Sequence, residues 1–540
     1  MALAIGLATP AYGTPADTST AKHWIFIATR AEGPTPEAEV TARALERRAR
    51  RGSAMLHWNR PPAPGCLGEL EERGIHPIVV SRWLNAISAH LTPEQRADAQ
   101  SLACVRSVRP VLQSDTQRQT EAFGSETPVS PLLRSADPFG PSERQLEMIN
   151  ALAPLQRGVT GSGVRIGFLD TEFGAFMHPV FDSLRSAGRV VDIRNFTGRS
   201  QSNRHGRSVA SVAVGHAPGD LIGPGHGAEV LGATTEYVGF ERNVEEDNLV
   251  AGLEWLEAQG ADVVNISLGY TQFDSGETDY TQADLDGDTA VTTRAVDRAA
   301  ALGVTVVVSA GNEGFCNAPS ECWFYISTPA DADSVIAVAA VDPDSARSPF
   351  SSFGPTADGR IKPDIAAPGR AVTVATSNGR YRPGSGTSYA SPLVSGVAAQ
   401  MLQVNPDLTP MDVRRLLRET ASQASRPDSI LGWGIINAEA AIRRAERLGQ
   451  PPPSELSLSA PFPNPATRRT TFELDVPEGG RQVEVRIYNV LGQRLRTRRA
   501  DLGAGTHRLS FDVQSLASGL YLYAIDGRDL RTTGTFTVVH

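Results

Sequence analysis

Four residues in the middle of the chain have the types that acyl transfer needs, in the order Asp170, His205, Asn312, Ser388. That chemistry requires a nucleophile, a base to take its proton, a carboxylate to hold the base, and donors for a developing oxyanion. Ser388 falls in residues 384–404, GSGTSYASPLVSGVAAQMLQV, where a small-residue loop runs into an almost wholly apolar segment. Gly384 and Gly386 let the backbone turn sharply. Pro392 is tolerated in a first helical turn. Leu393, Val394, Val397, Ala398, Met401 and Leu402 leave the segment apolar on nearly every side, which describes a buried helix. Such a helix holds a serine rigidly beside unpaired amides and the positive end of its dipole.

The other three residues sit where strands are expected to end or helices to begin. Asp170 closes the apolar run VRIGFLD, and Asn312 follows VTVVVS in Ser-Ala-Gly-Asn-Glu-Gly. An amide at that point could donate to an oxyanion together with the backbone N–H of Ser388. His205 opens HGRSVASVAVG, whose Ala and Ser side chains suit a tightly packed helix. His226, in Gly-His-Gly, is the competing histidine, but it precedes a strand rather than a close-packed helix. The serine lies in Gly-Thr-Ser-Tyr-Ala and not in Gly-x-Ser-x-Gly, which argues against a lipase or esterase elbow.

The elements that must carry these residues follow from composition and periodicity. A chain of 540 residues, 40% hydrophobic and 21% charged, is globular and long enough for several domains. Its net charge of −9 argues against a nucleic-acid partner. Residues 145–449 alternate short apolar strands (164–170, 230–236, 263–267, 304–309) with helical stretches (245–259, 290–302), the pattern of an α/β domain with a parallel sheet. Residues 22–113 read as a small α+β domain of order βαββαβ, with Thr92 capping a helix that starts at Pro93. Residues 459–540 carry period-two strands and read as a β-sandwich. The segments 114–144 and 450–458 read as linkers, and residues 1–21 as a truncated signal peptide. Four cysteines form two local pairs, Cys66 with Cys104 and Cys316 with Cys322, and are expected as two disulfides.

On these residues, 145–449 resembles a subtilisin-like serine protease. The carrying segments are 167–171, 205–209, Asn265-Ile-Ser-Leu-Gly269, 309–314 and 386–392, supported by Ser351-Ser-Phe-Gly-Pro355, residues 362–369 and residues 432–437. The resemblance implies a triad of Asp170, His205 and Ser388, with Asn312 as oxyanion donor and Ser267, Leu268 and Gly269 as a wall of the substrate pocket. It implies peptide hydrolysis with no required cofactor, in an enzyme made as a zymogen. Four positions depart from the family pattern: Glu172 after Asp-Thr, Arg207-Ser208 after His-Gly, and Tyr389 for a common Met. Glu172 would bring a negative charge near the base. The first domain resembles the family's inhibitory propeptides, with Ser81-Arg-Trp-Leu-Asn85 similar to the Bacteroidetes version. The last resembles the type A C-terminal sorting domain of the type IX secretion system, through Phe462-Pro-Asn-Pro465, Tyr488-Asn-Val-Leu-Gly492 and residues 516–521. That implies a secreted or cell-surface protein whose partners are protein or peptide substrates, its own prodomain and outer-membrane secretion machinery. The acidic loop 274–288, with Asp274, Glu277, Asp279, Asp284, Asp286 and Asp288, could bind calcium; it lacks the spacing of an EF-hand and reads as a solvated loop. The reading from another class is a non-catalytic surface-binding protein that retains the protease fold.

Overall fold

The computed structural model describes residues 20–32, 40–51, 60–110, 137–201, 204–240, 242–274, 279–315, 323, 325–448, 456–477, 479–527 and 531–539. The expected leader and most of both expected linkers lie outside these residues, as do Cys316 and Cys322. The chain divides into two compact units, Met1–Glu446 and Arg447–His540.

Within the first unit, the N-terminal α+β region comprises β1 (Ala21–Ile27), α1 (Ala42–Arg50), α2 (Pro64–Glu71), β2 (Val79–Ser81), β3 (Ala86–Leu91), α3 (Pro93–Ser101) and β4 (Val105–Pro110). Its four strands form one sheet in the order β2-β3-β1-β4. Period-two alternation gives the sheet two apolar faces. Ile25 and Ile27 point into the region's own core with Leu70, Ile87 and Leu91. Trp24 and Phe26 point the other way, into a cluster shared with Leu249, Leu253, Val296 and Ala299. Thr92 and Gln95 make a capping box at α3, with Pro93 in its first turn. Cys66 and Cys104 are joined by a disulfide. The helix α2 departs from the expected order: Pro64, Gly65 and Gly68 remove the apolar periodicity by which a helix is recognised.

The rest of the unit is built on a seven-stranded sheet. Its strands are β5 (Arg165–Asp170), β6 (Val190–Asn195), β7 (Glu229–Thr234), β8 (Val263–Ile266), β9 (Thr305–Ser309), β10 (Ile336–Val341) and β11 (Ile365–Pro368), in the order β11-β10-β9-β8-β5-β7-β6. All six pairings are parallel. Runs such as Val306-Val307-Val308 are buried on both sides, as strands covered by helices require. The covering helices include α4 (His205–Val214), α5 (Val244–Ala258), α6 (Val291–Ala301) and α7 (Thr387–Val404). Every residue of α7 from Thr387 to Leu402 is buried, as its apolar circumference predicts. Among the described residues no helix is long and apolar enough to cross a membrane.

The second unit is antiparallel. Its strands β12 (Arg469–Val476), β13 (Arg481–Tyr488), β14 (Arg494–Leu502), β15 (Gly505–Asp512), β16 (Gly519–Gly527) and β17 (Arg531–Val538) form two sheets, β14-β13-β16-β17 and Ser457–Leu458 with β12 and β15. Phe472, Val485, Ile487, Ile525 and Phe536 fill the space between them.

Candidate active site

The site lies at the carboxyl ends of the parallel strands, where open α/β sheets bind ligands. Asp170 is the last residue of β5 and is fully buried. Its Oδ1 accepts from the backbone N–H of Thr171 at 2.7 Å and lies 2.8 Å from His205 Nδ1. A carboxylate so placed favours the tautomer protonated on Nδ1, with Nε2 as the acceptor nitrogen. His205 begins α4, which runs unusually close to the end of β5. A Cβ on Gly206 would lie 2.8 Å from the Thr171 carbonyl, so only glycine permits the approach. The Gly206 N–H donates to Thr171 Oγ1 at 3.0 Å and ties the two segments together.

Ser388 occupies the first turn of α7. Gly386 before it has φ +152°, and a Cβ there would lie within 3.8 Å of the Asn312 amide and 3.7 Å of Ser388 N. The glycine therefore keeps clear the space between those two donors. The Ser388 hydroxyl donates to the carbonyl of Ser267 at 3.3 Å, and Ser267 Oγ donates to the Ser388 carbonyl at 3.0 Å. Asn265, Ser391 and Ser395 extend this buried network beneath β8. The Tyr389 ring lies tilted, 5.8 Å from the imidazole, and burial pushes its phenol up to about 12.

Asn312 follows β9 and is held by its oxygen end. Its Oδ1 accepts from Thr387 N at 2.8 Å and lies 3.0 Å from Thr387 Oγ1, which directs Nδ2 away from Thr387. The Asn312 backbone N–H donates to Glu313 Oε2 at 2.8 Å, and Ser352 Oγ donates to the same oxygen at 2.9 Å. Ser267 is buried, Leu268 half-buried and Gly269 exposed, in that order out of the end of β8. Thr387, Glu313 and Ser352 carry no catalytic chemistry of their own, and sequence reasoning missed their anchoring role. The available signal was their place inside the quoted Gly-Thr-Ser, Asn-Glu-Gly and Ser-Ser-Phe-Gly-Pro segments.

Electrostatic surroundings divide the two histidines. His226 is stacked 4.7 Å from His216, its Nδ1 meets the Gly223 carbonyl at 3.0 Å, and burial depresses its pKa to about 4. Among the described residues no carboxylate orients it in the way Asp170 faces His205. Glu172 turns to Arg204 at 3.6 Å, which offsets the charge expected beside the base. Glu236, just past β7, is buried and accepts from Tyr270 Oη at 2.5 Å; burial pushes it up to about 7, and the nearby charges of Asp170 and Glu246 act in the same direction. In the acidic loop, residues 275–278 and hence Glu277 lie outside the described residues. Asp279, Asp284 and Asp286 accept from backbone or hydroxyl donors of their own loop. Among the described residues no group of three or more His, Cys, Asp or Glu is arranged to hold a metal.

Comparison with known proteins places three parts of the chain. Residues 161–434, just over half of it, match the model of the subtilase family. Residues 22–124 match the peptidase S8 propeptide domain of Bacteroidota, and residues 460–539 match a secretion system C-terminal sorting domain. Subtilisin DY of Bacillus licheniformis is 32% identical over 301 residues, covering 55% of this chain and 97% of that one. Subtilisin BL of Lederbergia lenta is 31% identical over 300 residues with the same coverage. Among solved structures, the self-cleaved protease domain of PatA aligns with 27% identity and a TM-score of 0.41, over 53% of this chain and 98% of that one. The sorting domain marks the protein as secreted or carried on the cell surface. A propeptide, a sorting domain and relatives of this similarity identify the chain as a subtilisin-like serine endopeptidase, a member of the subtilase family.

Proposed function

We propose that the chain is a secreted endopeptidase made as a zymogen, with Ser388 as nucleophile, His205 as base and then acid, and Asp170 as the group that orients the imidazole. The observation that carries this reading is the 2.8 Å contact of Asp170 Oδ1 with His205 Nδ1 at the strand end that faces the first turn of α7. The Ser388 hydroxyl turns from the Ser267 carbonyl to Nε2, loses its proton there and attacks the peptide carbonyl. Charge on the carbonyl oxygen is met by Asn312 Nδ2, which its anchored Oδ1 leaves available, and by the Ser388 N–H at the helix terminus. Nε2 then protonates the leaving amine, and water hydrolyses the acyl-enzyme by the reverse sequence. The reaction uses only these side chains. Ser267, Leu268 and Gly269, emerging from β8, pair with an extended substrate as an added strand.

In this reading residues 22–113 act as inhibitor, 145–449 as catalytic domain and 459–540 as address for the secretion machinery. Intact mass followed over time on the wild-type chain and on Ser388→Ala tests it. The expected result is loss of the first domain by a cut in 112–146 in wild type alone, with labelling of the matured protein by a fluorophosphonate. A folded, prodomain-free protein that the probe leaves unlabelled would overturn it in favour of a non-catalytic binding protein.

A further inference from the structure

Lysine occurs twice in this chain, at Lys22 and Lys362, against a background of arginine. Both ammonium groups are buried against carboxylates. Lys362 pairs with Asp364 inside the catalytic domain, which explains it as a structural ion pair. Lys22 belongs to the prodomain, and its partners lie at the start of α5 and on the residue that caps it. Its Nζ donates to the Asn243 carbonyl at 2.6 Å and lies 2.8 Å from Asp247 Oδ2. Ser88 Oγ of β3 donates to the same carboxylate oxygen at 2.6 Å. Asp247 is fully buried, and its Oδ1 has no hydrogen-bond partner among the described residues. Glu246 beside it is held by Tyr280 Oη at 2.6 Å and Asn243 Nδ2 at 3.3 Å, and feels the charge of Lys22.

Departure of the prodomain removes Lys22 and Ser88 together. The half of the site that remains is two acceptors and an adjacent carboxylate, with the positive group gone. Release of Lys22 leaves the Asp247 carboxylate and the Asn243 carbonyl without the cation on which they converge, so the mature enzyme keeps two acceptors placed for one ammonium. One carboxylate oxygen and one carbonyl converging on a point suit an ammonium; a guanidinium would call for a bidentate fork. Tyr280, which holds Glu246, packs against Phe273, and Phe273 stacks on Tyr270, the residue after Gly269, so the vacancy is joined by side-chain contacts to the proposed substrate wall.

We propose that Asp247, the Asn243 carbonyl and Glu246 form an ammonium-recognition site, filled by Lys22 in the zymogen and by a lysine side chain of a polypeptide substrate after maturation. The proposal rests on the reading that the prodomain is released.

The test has an arm that needs no catalysis. In the Ser388→Ala chain, Lys22→Ala vacates the site with the prodomain in place, and thermal midpoints are compared with n-butylammonium, n-butanol and calcium chloride. Butylammonium is expected to raise the midpoint of Lys22→Ala, to leave the Lys22 parent unmoved, and to have no effect when Asp247→Asn is added. If Lys22→Ala does not fold alone, recovery of folded protein with the amine is the same readout. Equal rescue by butanol overturns the site, and equal rescue by calcium makes it a divalent-cation site, which also overturns the proposal. In the second arm, processed wild-type enzyme is given peptides in which lysine or norleucine is scanned around the cleaved bond. One position is expected to favour lysine by about tenfold in kcat/KM, the size of one charge-assisted hydrogen bond, with the preference lost in Asp247→Asn. No lysine preference at any position overturns the proposal. Absence of all cleavage counts against the protease reading instead, and amine rescue still decides the site.

Discussion

In the proposed mechanism Asn312 depends on Thr387, a residue with no part in the proton transfers. Its amide can face an oxyanion because Thr387 holds the opposite end through both its N–H and its hydroxyl. Asn312→Ala is therefore expected to lower kcat by about 10²–10³ with little change in KM, the cost of one oxyanion donor. Thr387→Val keeps the N–H anchor and loses the hydroxyl, so its loss is smaller, about tenfold in kcat, and again spares KM. Steady-state kinetics of the processed variants on one peptide check both; a change confined to KM would assign Asn312 to substrate binding. The types and order of Asp170, His205, Asn312 and Ser388 were legible because each lies in a short segment whose neighbours also fit strand end or helix start. The anchors were not. Asn312 meets Thr387 across 75 residues, and Ser352 meets Glu313 across 39, and no local pattern records such pairings.

Helix α1 shows the same limit for a whole element. The sequence from Pro36 to Arg51 reads as a charged helix, yet within α1 Arg47 and Arg48 are buried. Both guanidiniums bind the carboxylate of Glu257, which is fully buried near the end of α5. Arg47 also donates to the carbonyls of Glu257, Ala261 and Leu302, and Arg51 to that of Gly303. Arginines of the prodomain thus close the carbonyl ends of α5 and α6, where the helix dipoles are negative. At the opposite side of the contact Glu254 accepts from Ser81 Oγ at 2.6 Å and from the backbone N–H groups of Arg82 and Trp83. Glu257→Gln leaves two buried guanidiniums without their counter-charge and is expected to destabilise the Ser388→Ala chain by roughly 3–5 kcal/mol in urea unfolding. Asp407→Asn, at an exposed partner 3.9 Å from Arg50, is expected to change nothing measurable. The strands of β5, β7, β8 and β9 were legible from continuous apolar runs. Strand β11 was not, because Ile365-Ala-Ala-Pro368 is short and lies among prolines and glycine that signal a loop.

Across the whole molecule, buried carboxyls of opposite tendency set the response to pH. Burial pushes Glu236 and Glu246 up to about 7 and Asp331 up to about 6, from ordinary values near 4.5 and 3.8. A carboxyl whose folded pKa is raised favours the folded state while it is protonated. That contribution is complete below the ordinary value and is lost as pH rises through the folded one. Asp364 works in reverse: despite burial, Lys362, Arg414 and Arg418 hold it far below the usual carboxylate range, and its contribution is lost only in acid. These carboxyls lower the thermal midpoint of the Ser388→Ala chain from about pH 5 to about pH 8, against the rise that the depressed histidines, His226 above all, contribute up to about pH 6.5; Glu246→Gln should therefore gain on its parent as pH rises. A midpoint that rises over this interval equally in both proteins would show that Glu246 is ionised throughout. The arginine helix has one more consequence, for chromatography. Arg43, Arg47, Arg48, Arg50 and Arg51 leave with the prodomain, whereas Glu257, Asp262, Glu254 and Asp247 stay behind. The matured enzyme carries a bared acidic face, so it should bind an anion exchanger more tightly than its larger precursor, and the elution shift can time maturation without any substrate.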